Sequence, residues 1–330
     1  MKAIIPAAGM GSRLQPHTDN RPKVMVPIAG KPILEHISES LFKAGFDKIS
    51  VIVGYKKEAV IDYFSKNYPG KFDFPVQKEM KGIAHAVLYA LEDVDEPALI
   101  ILGDTIIDLD MEKLKDPKHN VIGVVRVDDP SRFGIVETDK RGFITNMVEK
   151  PEYPKSDLAI AGAYFIQSQR TLKFAIEELI KNDVKTRNEY QLTDALSLMM
   201  KTGESFKALP INKWYDCGTV ETLLSTSAYL MSLVSVNEGD CENCKIIEPV
   251  YIAKGAKISN STIGPNVAIG KNALVADSTI SDSILNDGAE LKNTCTKHSI
   301  IGYYARIDNV QSDYLSIEDK KVIVDNTKRV

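Results

Sequence analysis

The chain has a single tryptophan and four cysteines in 330 residues. Of Cys217, Cys241, Cys244 and Cys295, only Cys241 and Cys244 have a spacing used by metal sites or redox pairs. No second pair or histidine cluster follows to complete the four ligands of a structural zinc, so the two read as reduced thiols. Positive charge is not in excess, with 41 Lys and Arg against 45 Asp and Glu, a net charge of −4. That balance excludes recognition of nucleic acid through a global field, and an anionic partner must be met by local cations. No apolar run reaches the roughly 18 residues of a membrane span. The N-terminus begins directly with Lys2-Ala3-Ile4-Ile5. The expectation is a soluble cytoplasmic protein that takes neither membrane nor nucleic acid as partner. No Ser-His-Asp or Cys-His arrangement for nucleophilic catalysis is present either.

What is present comes at the start. The run Ala7-Ala8-Gly9-Met10-Gly11-Ser12-Arg13-Leu14 follows a short apolar stretch and leads through a polar loop to Pro22-Lys23. Glycines let backbone N–H groups approach phosphate oxygens, and fixed cations offset the charge. Two familiar glycine loops fit poorly. A dinucleotide fingerprint needs a third glycine where Leu14 stands and a helix opening at once, whereas Pro16, Pro22 and Pro27 keep the chain non-helical until about Pro32. A Walker loop would end Gly-Lys-Ser/Thr, which Gly11-Ser12-Arg13 does not supply.

The 44% hydrophobic content supports one large core, or one large and one small. Over residues 1–235 apolar strand-like runs alternate with amphipathic helical segments, the pattern of an α/β domain with a mostly parallel sheet. Strands are predicted at 3–6, 49–53, 74–77, 99–102, 121–127 and 161–165, and helices at 33–44, 58–67, 82–91, 172–182 and 192–202. Ligands of such sheets bind beyond the carboxyl ends of the strands, where the glycine loop lies. Over 236–330 the helical period disappears. Aliphatic residues recur every five or six positions at Ile252, Ile258, Ile263, Ile269, Val275 and Ile280, with turn formers such as Gly264-Pro265-Asn266 between them. That repeat predicts a parallel β-helix of about four to five coils.

The pattern from Gly9 through Arg13-Leu14, Pro16 and Thr18, then Pro22-Lys23-Val24-Met25-Val26-Pro27 and Lys31-Pro32-Ile33-Leu34, resembles the signature of sugar-phosphate nucleotidylyltransferases, the NDP-sugar pyrophosphorylases. It looks most like the glucose-1-phosphate thymidylyltransferase and uridylyltransferase types that carry a C-terminal left-handed β-helix. The resemblance implies a Rossmann-like nucleotidyltransferase domain, a homo-oligomer, and transfer from a nucleoside triphosphate to a sugar 1-phosphate with release of pyrophosphate. By the same match Ala7, Ala8, Gly9, Gly11, Ser12 and Arg13 hold the triphosphate, and Gln77 and Gly82 read the base. A glutamine amide can pair with a pyrimidine imide edge by donating and accepting at once. Gly134, Glu149, Lys150, Tyr164 and Trp214 are the implied sugar-phosphate contacts. Asp104, after the apolar run 99–102, and Asp216, in Trp214-Tyr215-Asp216-Cys217-Gly218-Thr219, match the metal-binding aspartates and imply Mg²⁺. Asp216 or Thr219 is also available to cap a helix starting near Val220. The segment Glu189-Tyr190-Gln191-Leu192-Thr193-Asp194 matches a stretch that supports structure.

Arg13, Lys23, Asp104 and Asp216 are the implied catalytic set. The nucleophile is a phosphate monoester, whose second ionisation falls near about 6, so no base is needed. Charge neutralisation and positioning should dominate. The base is left open, because Ile5-Pro6-Ala7-Ala8-Gly9 departs from the thymidylyl form and looks more like uridylyltransferases, while the stretch from Gln77 to Ala86 is compatible with either; dTTP is set only slightly ahead of UTP. Two other readings are carried. One is a subunit that binds NDP-sugar without turnover, which should have lost one of those four charged groups. The other adds an acyltransferase on the β-helix, for which His298 is the one histidine of that region.

Overall fold

The computed structural model describes residues 1–108, 110–114 and 118–325. The compact units interleave along the chain. One is Met1–Met10 with His36–Tyr215, the other Gly11–Glu35 with Asp216–Val330. The strands that matter are β1 (Lys2–Pro6), β2 (Ile49–Ile52), β3 (Phe72–Asp73), β4 (Ala98–Ile101), β5 (Thr105–Ile107), β6 (Asn120–Arg126), β7 (Gly134–Thr138), β8 (Ile144–Glu149), β9 (Leu158–Ile166), β10 (Phe206–Pro210) and β11 (Trp214–Asp216). The main helices are α1 (Ile33–Lys43), α2 (Lys57–Asn67), α3 (Ile83–Leu88), α4 (Gln169–Lys181), α5 (Leu192–Lys201) and α6 (Val220–Leu233). Among the described residues no helix is long and apolar enough to cross a membrane.

In the first unit nine strands form one sheet in the order β8-β7-β9-β4-β1-β2-β3, with β6 on β9 and β10 on β6. The expected α/β core is there: β4, β1, β2 and β3 run parallel, with Ile4 opposite Ser50 and Ile100. β2 and β4 are buried at every position, which is why they read as short apolar runs, broken only by Ser50. Antiparallel β9 then extends the sheet from β4 and pairs antiparallel with β6 and β7. The consequence for function is geometric. The carboxyl ends of adjacent parallel β1 and β4 lead into 7–10 and 102–104, so Ala7 to Gly9 and Asp104 leave the same edge.

The run 74–77 is not a strand. The ladder to β2 is made by Phe72 and Asp73, after which only the bridge from Val53 to Val76 continues the pairing. Pro75 lies between them and has no N–H to give. The helix expected over 172–182 starts at Gln169 instead, because the hydroxyl of Ser168 accepts from Thr171 N at 3.2 Å and caps it. The helix expected over 82–91 is shorter, as α3.

In the second unit, Thr219 caps α6 with a capping box to Thr222, which leaves the Asp216 side chain out of that role. A parallel left-handed β-helix of about five turns follows. Its three faces stack in register, with Ile252 on Ile269 on Leu285, Ile258 on Val275 on Leu291, and Ile263 on Ile280. All six aliphatic residues of the sequence repeat are buried. Corners are left-handed and recur every 16 or 17 residues; two series are filled mainly by Asn or Asp, where a short polar side chain tolerates positive φ, and the third by Gly255, Asn272, Gly288, Tyr304 and Lys320. They also bond up the stack, Asn266 Nδ2 donating to Asp282 Oδ1 at 2.8 Å. His298 occupies the next corner of that series, with φ 50°. The last five residues of the expected 236–330 region lie outside the described residues.

Candidate active site

The loop expected to hold phosphate is divided between the units after Met10. In the first unit Ala7 and Ala8 are buried, with Ala7 N donating to Ile52 O at 2.9 Å and Ala8 O accepting from Tyr55 N at 3.0 Å. Gly9 is exposed, and a Cβ there would meet nothing within 4 Å. In the second unit Gly11 turns left-handed (φ 74°) into the single 3₁₀ turn Ser12–Leu14, whose Ser12 and Arg13 are exposed. No α-helix opens before Ile33, as the prolines led one to expect. The stem of Lys23 passes over Gly11, since a Cβ at 11 would stand 2.5 Å from Lys23 Cβ. The glycine is thus required twice, for its dihedral and for the lysine lying on it. Arg13 has no ion-pair partner among the described residues, so its guanidinium is available to an anion.

The two residues expected to read the base, Gln77 and Gly82, lie in the first unit. Gln77 is 4% exposed and anchored through its N–H to Val53 O at 2.9 Å. Its Nε2 donates to the Gly82 carbonyl at 3.2 Å and lies 3.0 Å from His85 Nδ1. His85 therefore orients the amide, a role that a solitary histidine gives no sequence signal for. Burial, then the nearby Lys81 ammonium, lowers its pKa and favours the neutral ring that can accept. Gly82 (φ 109°) is glycine because a Cβ would sit 2.5 Å from Tyr190 O.

The sugar-side residues gather in the same unit. Glu149 ends β8 opposite Gly134 of β7. Its Oε2 accepts from Thr193 Oγ1 at 2.7 Å, and Lys150 Nζ lies 3.4 Å from Oε1. A Cβ on Gly134 would be 2.8 Å from Thr193 Oγ1 and 2.9 Å from Glu149 Oε2, so the glycine makes room for that pair. Lys150 sits at φ 43°, tied by its N–H to Phe133 O at 2.9 Å. Arg187 Nη2 donates to the Lys150 carbonyl at 3.3 Å. Tyr164 is buried, and burial first, then the Glu149 and Asp104 carboxylates, pushes its hydroxyl well above the phenol range and keeps it protonated. Trp214 Nε1 donates to Ala161 O at 3.0 Å and its ring meets Phe133 edge-on at 5.6 Å, so it can offer a ligand only ring surface. Thr193 was legible only as part of a supporting segment, and its hydroxyl supports Glu149 itself.

The two aspartates are placed by different devices. Asp104 follows β4 in a tight turn, with Thr105 Oγ1 donating to its Oδ1 at 3.3 Å. Asp216 ends β11, and Gly218 leaves space beside its carboxylate, where a Cβ would lie 2.6 Å from Oδ2. Hard carboxylate oxygens suit Mg²⁺, which takes one or two such ligands and fills the rest of its shell with phosphate and water.

These features describe an α/β protein, and the chain belongs to the nucleotidyl transferase family, whose model matches residues 2–232. Its relatives within that family include proteins named as glucose-1-phosphate uridylyltransferase and thymidylyltransferase. It is 41% identical over 260 residues to the bifunctional protein GlmU of Methanocaldococcus jannaschii, across 78% of this chain and 61% of that one. The chain thus matches less than two thirds of that relative's length. It is 35% identical to the UTP–glucose-1-phosphate uridylyltransferase AglF of Haloferax volcanii, across 65% of this chain and 89% of the relative. Among solved structures, a UDP-glucose pyrophosphorylase complexed with UDP-glucose superposes with a TM-score of 0.61 at 29% identity, covering 70% of this chain and 98% of that one.

Proposed function

We propose that the chain transfers a uridylyl or thymidylyl group from UTP or dTTP to glucose 1-phosphate and releases pyrophosphate. The observation that carries the reading is the glycine turn at Gly11 with the Lys23 stem laid over it and Arg13 unpaired beside it. Two cations brought together from the turns Ser12–Leu14 and Lys23–Met25 suit a polyanion such as a triphosphate. UTP is placed ahead of dTTP, reversing the order the sequence suggested, because the uridylyltransferase and the UDP-glucose complex above are both named for uridine nucleotides.

Arg13 holds the β- and γ-phosphates, and Lys23 meets the α-phosphate and the incoming sugar phosphate. Ala7, Ala8, Gly9, Gly11 and Ser12 offer backbone to the triphosphate, while Gln77, oriented by His85, and Gly82 take the base. Glu149 and Gly134 bind sugar hydroxyls, Lys150 takes the sugar phosphate, and Tyr164 and Trp214 wall the pocket. Asp104 and Asp216 hold Mg²⁺, which when bound neutralises triphosphate oxygens. The sugar phosphate attacks the α-phosphorus in line, already ionised, and pyrophosphate leaves. A homo-oligomer located in the cytoplasm completes the proposal.

Pyrophosphate release across a grid of nucleoside triphosphates and sugar 1-phosphates tests it. Turnover with UTP or dTTP and glucose 1-phosphate is expected. Strict dependence on ATP or GTP would sink the pyrimidine assignment, and no release from any pair would favour a binding subunit.

A further inference from the structure

The segment Gly11–Glu35 belongs to the same unit as the β-helix and is fastened to it by contacts that span almost the whole sequence. Arg21 Nη2 lies 2.9 Å from Asp319 Oδ2, with the two side chains only 16% and 11% exposed. The Arg21 guanidinium also stacks 3.8 Å over the centre of the Tyr303 ring. Asp319 is held from the other side, its Oδ1 accepting from Tyr303 N at 3.0 Å and its Oδ2 accepting from Asn20 Nδ2 at 3.2 Å. Four residues upstream, buried His17 places Nε2 2.9 Å from Ser316 Oγ. Further on, Ala29 N donates to Ser227 Oγ at 3.0 Å, and Gly30 lies flat on Tyr251, where a Cβ would meet the ring at 2.0 Å.

These contacts bracket the two phosphate cations. Arg21 is two residues from Lys23, in the turn Lys23–Met25 that Pro22 precedes. The stem of Lys23 in turn rests on Gly11, two residues from Arg13. A half-buried guanidinium that is both paired and stacked holds one geometry, because losing either partner leaves a poorly solvated charge. Fixing Arg21 therefore fixes the spacing of Lys23 and Arg13.

We propose that Arg21, Asp319 and Tyr303 form a latch by which the last coils of the β-helix position Arg13 and Lys23 for the triphosphate. They are positioning residues, and the β-helix is part of the nucleotide site rather than an appendage. The proposal rests on the reading of Arg13 and Lys23 as triphosphate contacts.

Two readouts on the full chain test it, hydrogen exchange over 11–35 without substrate, and separate KM values for UTP and glucose 1-phosphate from pyrophosphate release. Asp319→Asn keeps the shape and removes the charge. Exchange across 11–35 should rise, and KM for UTP should rise about tenfold, while KM for glucose 1-phosphate moves less than about twofold. Arg21→Lys keeps the ion pair without the planar stack and should fall between. If Asp319→Asn fails to fold, Arg21→Lys decides alone. Unchanged exchange over 11–35, or equal changes in both KM values, overturns the latch. A wild-type chain that turns over no triphosphate would strike the proposed reaction instead, and the exchange readout would still decide the latch.

Discussion

Thr193→Val isolates one hydrogen bond in the proposed sugar pocket. The Glu149 side chain is 10% exposed, and Thr193, in the first turn of α5, is buried. The 2.7 Å bond from Thr193 Oγ1 to Glu149 Oε2 has a charged acceptor, a class that contributes about 1.5–3 kcal/mol. Valine keeps the β-branched shape and a similar helix propensity, so the loss falls on the carboxylate, which keeps its ion pair with Lys150. The expected cost to folding is about 1.5–3 kcal/mol by chemical denaturation. Glu149 freed to rotate should lower kcat/KM for glucose 1-phosphate about tenfold to a hundredfold, as 1.4 kcal/mol is about tenfold. KM for the triphosphate should hold, and Thr193→Ser, which keeps the hydroxyl, should restore most of the rate. The reasoning fails if Thr193→Val leaves the sugar-phosphate kinetics unchanged, or if Thr193→Ser is as impaired as Thr193→Val.

Three further outcomes follow from the same contacts. Gly82→Ala forces a Cβ onto the Tyr190 carbonyl at positive φ and should destabilise by more than about 2 kcal/mol, whereas Gly9→Ala, with open space, should stay within about 0.5 kcal/mol in thermal melts. Burial lowers the pKa of His17 from 6.5 to about 4, against the opposing pull of Asp319. Its folded pKa lies below the unfolded one, so its contribution is present above pH 6.5 and lost as pH falls toward about 4, on the order of 3 kcal/mol. His17→Gln should flatten the fall in urea midpoint across that window relative to wild type. Arg13→Ala and Lys23→Ala should each cost about 10² to 10³ in turnover, read as pyrophosphate release, with the fold intact by circular dichroism.

The strands legible in the sequence were those buried along their whole length, such as β2 and β4, whose apolar runs need no context. The hairpin β7 and β8 was not read as strands, because neither shows the alternation of a half-buried strand: β7 buries its first three residues together and β8 only Ile144 and Met147. The β-helix announced itself through its repeat, as every coil buries the same position. Its hold on 11–35 did not, since a contact between His17 and Ser316 across 299 residues leaves no local pattern. The same limit applies within the site. Motif residues such as Gln77 and Glu149 could be matched, but the groups that orient them, His85 and Thr193, are defined only by distance.

The central claim concerns which phosphorus is attacked, and following label from [α-³²P]UTP in the presence of glucose 1-phosphate tests it most directly. All label is expected in UDP-glucose, with unlabelled pyrophosphate released in equal amount. Label appearing as UMP, or remaining in UTP while phosphate is released, would contradict nucleotidyl transfer.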